Sequence, residues 1–462
     1  MPGVLRVPTL AEVRGRTPFN VAVRPPGSKS LTNRAILLSA LCEGTSELHG
    51  ALDADDSRRL VEAVRQLGAR AEESGQGESR TLRITGVGGR WTPNSPVELF
   101  LNNAGTATRF LTAASVLGRA PIVIDGNKRM RERPISDLVD AVQQLGARAS
   151  YLGVVGFPPV EITPPGVPPD GATVTVKPSL SSQFVSALML IAPAFPGGLP
   201  RGLSIKLEGT PTSEPYIAMT GGLLARFGAH VQFSGDGRLI RVGGTVRAFR
   251  YAIEPDASGA TYFWGAAAIS PGSTCRVIGL DGQSLQGDCA FVDQLAEMGA
   301  SVGRRAAAES VEPSIGVTGP SELRGVVADL SDMPDTAMTL AACACFARGP
   351  TLLRGLHTLR VKETDRIVAL RRELGKLGVR IEPGMVGERD TLTIDPPAGG
   401  IDCSPDTPRV EFDTYDDHRM AMSLAIIALR RPNTFIRDPA CVRKTYPGFW
   451  SDWAGLYVPP KR

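Results

Sequence analysis

Basic side chains lie next to a polar turn near the start of this 462-residue sequence. Lys29 and Arg34 are five residues apart in PGSKSLTNRAILLSAL, where a Pro-Gly turn leads into an apolar helix. A helix N-terminus presents free N–H groups and the positive end of the helix dipole, so it favours a bound anion. Ser28, Ser30 and Thr32 add hydroxyls for capping or hydrogen bonding. Solvated cations after a serine-rich turn explain this stretch equally well, so its interpretation depends on the rest of the chain.

Similar residues recur at the other predicted helix starts. In chain order they are Asn103, Gly105, Thr106 and Arg109, then Ser181, Ser182 and Gln183, then Asp335, and finally Asp416, Asp417, His418 and Arg419. Further charged clusters are RMRERP at 129–134, VKETDR at 361–366 and RKTYP at 443–447, of which VKETDR is predicted to begin a helix. An isolated charge run is usually a solvated face, but cations that recur beside turns before helices favour a shared anion site.

Two acids, Asp335 and Glu363, stand among these cations. Arg forks and Lys point charges suit phosphate and carboxylate, whereas acids do not bind anions, so their presence indicates proton transfer. A carboxylate among cations stays ionised and can accept a proton. The sequence lacks GxxxxGK[ST], HExxH and other metal spacings. The residues alone therefore predict an enzyme without metal or organic cofactor that acts on phosphorylated, carboxylated small molecules, and they do not identify the reaction.

Composition limits the class of protein and its compartment. The chain is 42% hydrophobic and 21% charged, with a formal net charge of +4, and it has no polybasic tail. The seven cysteines are scattered without a CxxC, which predicts reduced thiols rather than disulfides or a zinc site. The N-terminal residues lack the apolar core of a signal peptide, and no apolar run approaches the ~18 residues of a membrane span. We therefore expect a cytoplasmic protein.

Two patterns recur along the chain with one period. Amphipathic helices end at glycines separated by about 71 to 82 residues, namely Gly68, Gly146, Gly228, Gly299 and Gly378. A glycine at this position is typical of a left-handed helix C-cap. A polar turn that opens an Ala-rich helix occurs six times, at intervals of about 75 to 85 residues. Since the two patterns are independent, they indicate an internal repeat.

The repeat predicts the organisation of the whole chain. Each repeat carries two helices and short alternating strands, which indicates a βαβαββ unit used six times, three in each of two lobes. We expect lobe 1 to contain residues 1–28 and 254–462 and lobe 2 residues 29–253. Ala-rich helices with apolar bodies should be buried, with only their starts reaching solvent. If these starts face inward in both lobes, the space between the lobes attracts anions, and we expect the active site in that cleft.

Nine stretches of the chain resemble, in the same order, signature motifs of the 5-enolpyruvylshikimate-3-phosphate synthase family. They are PGSKSLTNRA, NAGTATR, RMRERPI, SLSSQF, SEPY, MPDTAMT, RVKETDR, DDHRMAM and RKTYPGF. They span nearly the whole chain, so the resemblance is highly specific. It implies an α/β fold, a two-lobed inside-out α/β barrel with three βαβαββ units in each lobe.

The resemblance also implies an activity. Enzymes of this family transfer the enolpyruvyl group of phosphoenolpyruvate to the 5-hydroxyl of shikimate 3-phosphate and release phosphate, in the shikimate pathway to chorismate and aromatic amino acids. They need no metal or coenzyme, and glyphosate competes at their phosphoenolpyruvate pocket. We accordingly expect these two small molecules as the partners, no cofactor, no binding of nucleic acid or membrane, and a monomer.

The roles of individual residues follow from matching each motif to the family. The residues implied to bind shikimate 3-phosphate are Lys29, Ser30, Arg34, Ser181, Ser182, Gln183, Ser213, Tyr216, Asp335, Thr358 and Lys362. Those implied to bind phosphoenolpyruvate are Lys29, Gly105, Arg133, Gln183, Arg366, Arg419 and Lys444. The implied catalytic residues are Asp335 as the base for the 5-hydroxyl, Glu363 as the proton donor to the methylene carbon, Lys29 where both substrates meet, and His418 close by.

Three positions depart from the common family pattern. Thr358 stands where some members carry Asn, Phe110 follows Arg109 where many have Pro, and Asn102 replaces a frequent Gly. Thr358 bears on one contact to shikimate 3-phosphate, and the other two lie beside the phosphoenolpyruvate motif.

Three alternatives remain open. UDP-N-acetylglucosamine enolpyruvyl transferases share the fold and the donor, but they carry a reactive Cys in a mobile loop that reads DGNKRMRERPI here. A non-catalytic polyanion-binding protein, such as an RNA-binding one, predicts exposed aromatics among the cations and a strong net charge, whereas only 6% of residues are aromatic. An inactive paralogue would keep the binding residues without turnover.

Overall fold

The computed structural model describes residues 3–15, 17–166, 171–178, 181–195, 202–209, 211–309, 311–387 and 389–458. Ser179 and Leu180, which open the SLSSQF motif, lie outside these residues. The chain forms two compact units. Unit 1 comprises Met1–Pro26 and Glu254–Arg462, and unit 2 comprises Gly27–Ile253. Gly27 and Ser28 are grouped with unit 2, whereas the sequence predicts them at the end of the first segment of lobe 1.

Short strands and helices alternate through both units. The strands are β1 (Val4–Val7), β2 (Asn20–Val23), β3 (Thr45–His49), β4 (Arg70–Ser74), β5 (Thr81–Thr85), β6 (Val97–Phe100), β7 (Ile122–Asp125), β8 (Arg148–Tyr151), β9 (Val160–Thr163), β10 (Thr173–Val176), β11 (Leu203–Leu207), β12 (Ala229–Phe233), β13 (Leu239–Gly244), β14 (Arg250–Ala252), β15 (Thr274–Ile278), β16 (Ser301–Arg305), β17 (Ser314–Thr318), β18 (Leu323–Arg324), β19 (Val327–Asp329), β20 (Ala347–Arg348), β21 (Thr351–Arg354), β22 (Arg380–Val386), β23 (Arg389–Asp395), β24 (Val410–Phe412) and β25 (Thr434–Arg437). The α-helices are α1 (Leu10–Arg14), α2 (Lys29–Leu41), α3 (Asp55–Gln66), α4 (Gly105–Ala114), α5 (Ser136–Gln144), α6 (Ser182–Ile191), α7 (Glu214–Arg226), α8 (Ala257–Ala268), α9 (Phe291–Glu297), α10 (Ala337–Ala344), α11 (Arg366–Gly375), α12 (His418–Ala428) and α13 (Phe449–Ala454).

Unit 2 contains three four-stranded sheets of one topology. Their strand orders are β14–β3–β5–β4, β6–β7–β9–β8 and β10–β11–β13–β12. In each sheet the first two strands are parallel and the other two are antiparallel to their neighbours. The parallel pairs β6–β7 and β10–β11 are joined by a crossover helix, and an antiparallel hairpin closes each sheet, as a βαβαββ unit requires. The first sheet takes its parallel edge strand, β14, from the end of the unit 2 sequence.

Unit 1 repeats this arrangement twice and modifies it once. The sheets β16–β17–β15–β2 and β19–β21–β23–β22 have the same pattern, and β2 supplies the parallel edge strand of the first. The third sheet has three described strands, β1–β25–β24, and the short pair β18–β20 is separate. The predicted α/β repeats are thus confirmed, and in the described part of the chain the sixth repeat has three paired strands where the other sheets have four. After β25 the chain forms a 3₁₀ turn and α13, whose Phe449 and Trp453 are buried, and N-terminal β1 pairs with β25 instead.

The Ala-rich helices form the cores of the two units. In unit 2 these are α2, α4 and α6, and in unit 1 they are α8, α10 and α12, with most or all of their residues buried. A helix that is apolar on all sides has no face suited to water, and each buried Leu, Ile or Phe side chain contributes about 1.5–3 kcal/mol. The five glycines that follow amphipathic helices have φ between 75° and 110°, which confirms the predicted left-handed caps.

Two further properties concern the whole described chain. All seven cysteines are free thiols, as the sequence predicts. None of the helices within the described ranges is both long and apolar enough to cross a membrane.

Candidate active site

Unit 1 brings together charged side chains from four segments. Asp335 lies in a 3₁₀ turn before α10, Lys362 and Glu363 precede α11, Arg366 begins α11, Asp417 caps α12, Arg419 is the second residue of α12, and Lys444 ends a 3₁₀ turn before α13. The helix begins at the last residue of the VKETDR motif, five residues after Val361, because Asp365 is the N-cap. Its carboxylate accepts a hydrogen bond from the backbone N–H of Val368 over 3.1 Å, so the helix begins at Arg366.

Arg366 lies at the centre of this group with 1% of its side chain exposed. Its Nε donates to Asp417 Oδ2 over 2.8 Å, and its Nη2 donates to Glu363 Oε2 over 2.9 Å. Its Nη1 donates to Asp335 Oδ1, also over 2.9 Å. A planar guanidinium can satisfy several carboxylates in fixed directions, so one Arg orients three acids.

Three more cations contact the same carboxylates. Lys362 Nζ lies 3.3 Å from Asp335 Oδ1, and Arg419 Nη2 donates to Asp335 Oδ2 over 3.0 Å. Lys444 Nζ donates to Glu363 Oε1 over 3.1 Å. With Arg366, four cations therefore contact three carboxylates, and the excess of positive charge favours an anionic ligand.

Buried hydrogen bonds and charges set the protonation of neighbouring groups. Burial lowers the pKa of Arg366, but the carboxylates of Asp417, Glu363 and Asp335 outweigh burial and hold that pKa above its ordinary value. Arg419 Nη1 also donates to the hydroxyl of Tyr262 over 3.3 Å. Burial raises the pKa of Tyr262 to about 12, so this phenol keeps its proton near neutral pH.

His418 and Thr358 are less closely connected with this network. His418 is 1% exposed, and its Nδ1 lies 3.8 Å from Asp417 Oδ1, which is longer than a hydrogen bond. Thr358 is 4% exposed in the 3₁₀ turn His357–Val361, and its hydroxyl has no hydrogen-bond partner in the described part of the chain. Thr358 is therefore not connected with the Arg366 group by a hydrogen bond.

In unit 2, the PGSKSLTNRA motif forms the start of α2. Ser28 is the N-cap, and its hydroxyl accepts from the backbone N–H of Leu31. Lys29 Nζ lies 3.6 Å from Asp56 Oδ2, whose side chain is 4% exposed. Arg34 extends toward α6 and α7 and is 1% exposed. Burial lowers the pKa of Arg34 to about 10, so the side chain stays charged at neutral pH.

The start of α4 places Gly105 between two guanidinium groups. A Cβ atom at Gly105 would lie 2.6 Å from Arg133 Nη2 and 2.7 Å from Arg109 Nη1. Arg133 Nη1 donates to Asn103 Oδ1 over 3.1 Å, and Arg109 Nη1 donates to the carbonyl of Gly105 over 3.0 Å. Only glycine leaves both guanidiniums where they are, which gives a steric reason for a glycine at this helix start.

The starts of α6 and α7 contribute neutral groups. Ser181 is the N-cap of α6 and accepts from the backbone N–H of Gln183 over 3.2 Å, while Gln183 Nε2 donates to Thr106 Oγ1 over 3.3 Å. This bond connects the starts of α6 and α4. Ser182 is buried as the first residue of α6. Ser213, which precedes α7, has φ 55°, and its carbonyl accepts from the N–H of Tyr216.

Several residues of these groups have no binding or catalytic role among those that the family resemblance implies, and of them only Asp417 is singled out in the sequence, as part of a helix start. Asp417 and Tyr262 contact Arg366 and Arg419, Asp56 contacts Lys29, and Ser186 and Thr220 bind Arg34. Asp417 stands in the recognisable DDHRMAM motif, where an acid before a helix signals an N-cap. The others lie in apolar helices or far along the chain, and no local pattern marks them.

Among the described residues, no three His, Cys, Asp or Glu side chains are grouped so as to hold a metal ion. The three carboxylates around Arg366 are ion-paired with cations, which is an arrangement that competes with metal coordination. The expectation of catalysis without a cofactor stays a prediction.

Comparison with solved structures first defines the class of fold. The enolpyruvyl transferase NikO from Streptomyces tendae superposes with a TM-score of 0.67 at 18% identity, covering 95% of both chains. EPSP synthase from Acinetobacter baumannii superposes with a TM-score of 0.76 at 26% identity, covering 98% of both chains. The chain therefore has the fold found in enolpyruvyl transferases.

Sequence comparison then defines the family. Residues 13–453 match the family model of EPSP synthase (3-phosphoshikimate 1-carboxyvinyltransferase). A 3-phosphoshikimate 1-carboxyvinyltransferase of Laribacter hongkongensis is 44% identical over 93% of this chain and 95% of the relative. One of Bordetella avium is 41% identical over 98% of each. The chain belongs to the EPSP synthase family, which confirms the family indicated by its motifs.

Proposed function

We propose that this chain transfers the enolpyruvyl group of phosphoenolpyruvate to the 5-hydroxyl of shikimate 3-phosphate and releases phosphate. The observation that carries the proposal is the group of four cations and three carboxylates around Arg366. It combines donors for phosphate and carboxylate with acids for proton transfer. Membership of the EPSP synthase family over residues 13–453 supports this reaction over other uses of such a group.

In this reaction Asp335 and Glu363 have different tasks. Asp335 accepts the proton of the 5-hydroxyl, because its contacts with Lys362, Arg366 and Arg419 favour its ionised form. Glu363 gives a proton to the methylene carbon of phosphoenolpyruvate. Its partners Arg366 and Lys444 are also assigned to phosphoenolpyruvate, so the bound anion draws these cations away from the carboxylate and favours a protonated Glu363. His418 is buried beside Asp417. We propose that it lies near bound phosphoenolpyruvate and does not contact a reacting atom.

The remaining residues bind the two substrates. Those of unit 1 are Lys362 and Thr358 for the acceptor, and Arg366, Arg419 and Lys444 for the phosphate and carboxylate of the donor. Those of unit 2 are Ser30, Arg34, Ser181, Ser182, Gln183, Ser213 and Tyr216 for the acceptor, and Gly105, Arg133 and Gln183 for the donor. Lys29 serves both. We propose that the two units are the two lobes predicted from the repeat and that residues of both act on one pair of substrates.

The chemistry proceeds by addition and elimination. The acceptor oxygen bonds to C2 of phosphoenolpyruvate while its proton goes to Asp335 and the methylene carbon gains a proton from Glu363. The product of this step is a tetrahedral carbon that bears the phosphate. The bond from C2 to the phosphate oxygen then breaks, the new methyl group returns a proton to the Glu363 carboxylate to restore the double bond, and the proton held by Asp335 leaves with the phosphate. Fixed cations stabilise the departing phosphate.

UDP-N-acetylglucosamine as the acceptor is not favoured. The segment that would carry the reactive Cys has none, and it forms a 3₁₀ turn at Met130–Glu132. The nine signature motifs and the names of the two relatives instead favour shikimate 3-phosphate as the acceptor. We also propose that the protein is cytoplasmic, since seven free thiols suit a reducing compartment. A separate proposal is that the protein is a monomer. Light scattering at several concentrations measures the oligomeric state.

Phosphate release by the purified chain tests the function. With shikimate 3-phosphate and phosphoenolpyruvate we expect release in the presence of EDTA and no added metal, and none when either substrate is omitted. Release with UDP-N-acetylglucosamine but not with shikimate 3-phosphate would assign the chain to the sister family. Binding of both substrates without release in any mixture would identify an inactive paralogue.

A further inference from the structure

An aromatic ring faces the guanidinium of Arg34. Phe110, on α4, is fully buried, and its ring centroid lies 5.4 Å from Arg34 Cζ. A cation within about 6 Å of a ring centroid is attracted by the negative face of the ring. Phe110 thus contacts the charge of a residue on α2.

The other neighbours of Arg34 are neutral. Its Nε donates to Thr220 Oγ1 over 2.8 Å, and its Nη1 donates to the carbonyl of Ser30 over 3.0 Å. Its Nη2 donates to Ser186 Oγ over 3.1 Å and to the carbonyl of Tyr216 over 3.2 Å. Among the residues that the structure describes, no carboxylate forms an ion pair with Arg34. Four of the five N–H groups of the Arg34 guanidinium therefore donate hydrogen bonds within unit 2. No described carboxylate there neutralises its positive charge.

This environment makes the ring energetically relevant. A buried charge without a counterion loses hydration that polar partners replace only in part. The negative face of an aromatic ring stabilises such a cation more strongly when both are removed from water. A side chain of similar bulk without a quadrupole, such as Leu, would fill much of the space without this attraction.

Phe110 also connects two sets of proposed site residues. It lies on the first turns of α4, whose start carries Gly105 and Thr106. Its ring contacts Arg34, which we propose binds shikimate 3-phosphate, whereas Gly105 is among the residues proposed to bind phosphoenolpyruvate. Through packing, the position of the Arg34 guanidinium is therefore tied to the helix that carries Gly105.

We propose that Phe110 is a positioning residue that holds the Arg34 guanidinium in place for the acceptor. The proposal rests on the proposed function, because it assumes that Arg34 binds shikimate 3-phosphate. Phe110 itself touches no substrate and acts only through Arg34. Weakening the attraction between the Phe110 ring and the Arg34 guanidinium should therefore raise the KM for shikimate 3-phosphate. In contrast, kcat and the KM for phosphoenolpyruvate should change little.

A series of fluorinated phenylalanines at position 110 tests the electrostatic part of this role. Fluorine withdraws electron density from the face of the ring with little change of shape, so 4-fluoro-, 3,5-difluoro- and 3,4,5-trifluorophenylalanine weaken the attraction in steps. We expect the KM for shikimate 3-phosphate to rise with each step, to about 5-fold or more for the trifluoro ring, from the strength of desolvated cation–π pairs. A KM that stays constant through the series would overturn the proposal.

Two controls separate positioning from general packing. Phe291 of α9 is fully buried in unit 1, so the same fluorinated series at position 291 should leave the KM unchanged. In an Arg34→Gln background, fluorination at position 110 should change the KM by less than about 2-fold, because the cation is gone. An equal effect with and without Arg34 would show that Phe110 acts by packing alone and would overturn the proposal. An inactive native chain would instead contradict the proposed function.

Discussion

The cations of unit 1 contact carboxylates, whereas Arg34 of unit 2 contacts hydroxyls, carbonyls and a ring. Arg366 binds three acids, and Lys362, Arg419 and Lys444 share them. Arg34 is equally buried, but its described partners are neutral. Each arrangement keeps an Arg charged in the interior, one by ion pairing and the other by hydrogen bonding and cation–π attraction.

The difference in partners implies a difference in what each group can do. In unit 1 an arriving anion competes with carboxylates for the same donors, so binding changes the surroundings of Asp335 and Glu363 and with them their affinity for a proton. In unit 2 the charge of Arg34 can attract an anion without displacing an acid. Unit 1 is therefore suited to acid–base chemistry, and the Arg34 group is suited to holding a negatively charged acceptor.

The largest expected effect of this difference concerns Asp335. Asp335→Asn keeps the size of the side chain but removes the base, so we expect kcat to fall by about 10²- to 10⁴-fold, the usual range for general base catalysis. Steady-state kinetics and isothermal titration should show that phosphoenolpyruvate binding changes far less. A normal kcat would remove Asp335 from the mechanism.

The matched control is an acid of unit 2. Asp56 is also buried and lies 3.6 Å from Lys29, so Asp56→Asn likewise removes one carboxylate beside a cation. We expect kcat of this variant to fall by less than about 10-fold, because Asp56 has no proton to transfer in the proposed chemistry. Equal losses in the two variants would contradict the contrast between the units.

The sequence predicts some parts of the molecule well and others poorly. The repeat of glycine-capped helices predicts the βαβαββ organisation, because helix caps and buried Ala-rich helices follow from local patterns. It does not predict that β1 joins β25 from the other end of the chain, since pairing over such a distance has no local signal. Residue types and motifs identify the charged members of the site, whose individual roles stay predictions.

Partners that complete the site are harder to predict than its charged members. Thr220, Ser186 and Tyr262 lie on helices whose composition marks them only as buried. Their contacts with Arg34 and Arg419 depend on how helices pack, which a single sequence does not specify. The interaction of Phe110 with Arg34 is of the same kind, because the two residues lie on different helices.

Gly105→Ala should have an intermediate effect on the kinetics. The substitution changes contacts within unit 2 alone. The added methyl group would lie 2.6 Å from Arg133 and 2.7 Å from Arg109, so the guanidiniums must move. We expect the KM for phosphoenolpyruvate to rise about 10- to 100-fold, because one misplaced charged hydrogen bond costs about 1.5–3 kcal/mol. The KM for shikimate 3-phosphate should change much less.

Gly235→Ala provides the control for this variant. Gly235 lies in an exposed turn of unit 2, and a Cβ atom there would meet no atom within 4 Å. Kinetics of the control should match the native enzyme. If Gly105→Ala also matches it, the guanidinium of Arg133 does not bind phosphoenolpyruvate.

The last expected effect appears in stability rather than in catalysis and compares two buried carboxyls within unit 1. Asp417 is paired with Arg366, whereas Asp288 accepts a hydrogen bond from the hydroxyl of Ser258. Burial raises the pKa of Asp288 to about 6, and the charge of Asp335 adds to this. Since the unfolded carboxyl titrates near 4, the folded protein binds this proton more tightly. The resulting stability is complete below about pH 4 and is lost as the pH rises to about 6, by roughly 3 kcal/mol.

Asp288→Asn should remove this loss, since an amide does not ionise and its oxygen can still accept from Ser258. The free energy of unfolding of the variant relative to the native chain should therefore increase between pH 4.5 and pH 7, as measured by urea denaturation. Asp417→Asn should do the opposite at pH 7 and destabilise the fold, because it deprives the buried Arg366 of a carboxylate. If both variants shift the free energy of unfolding in the same direction at pH 7, the proposed difference between Asp288 and Asp417 is contradicted.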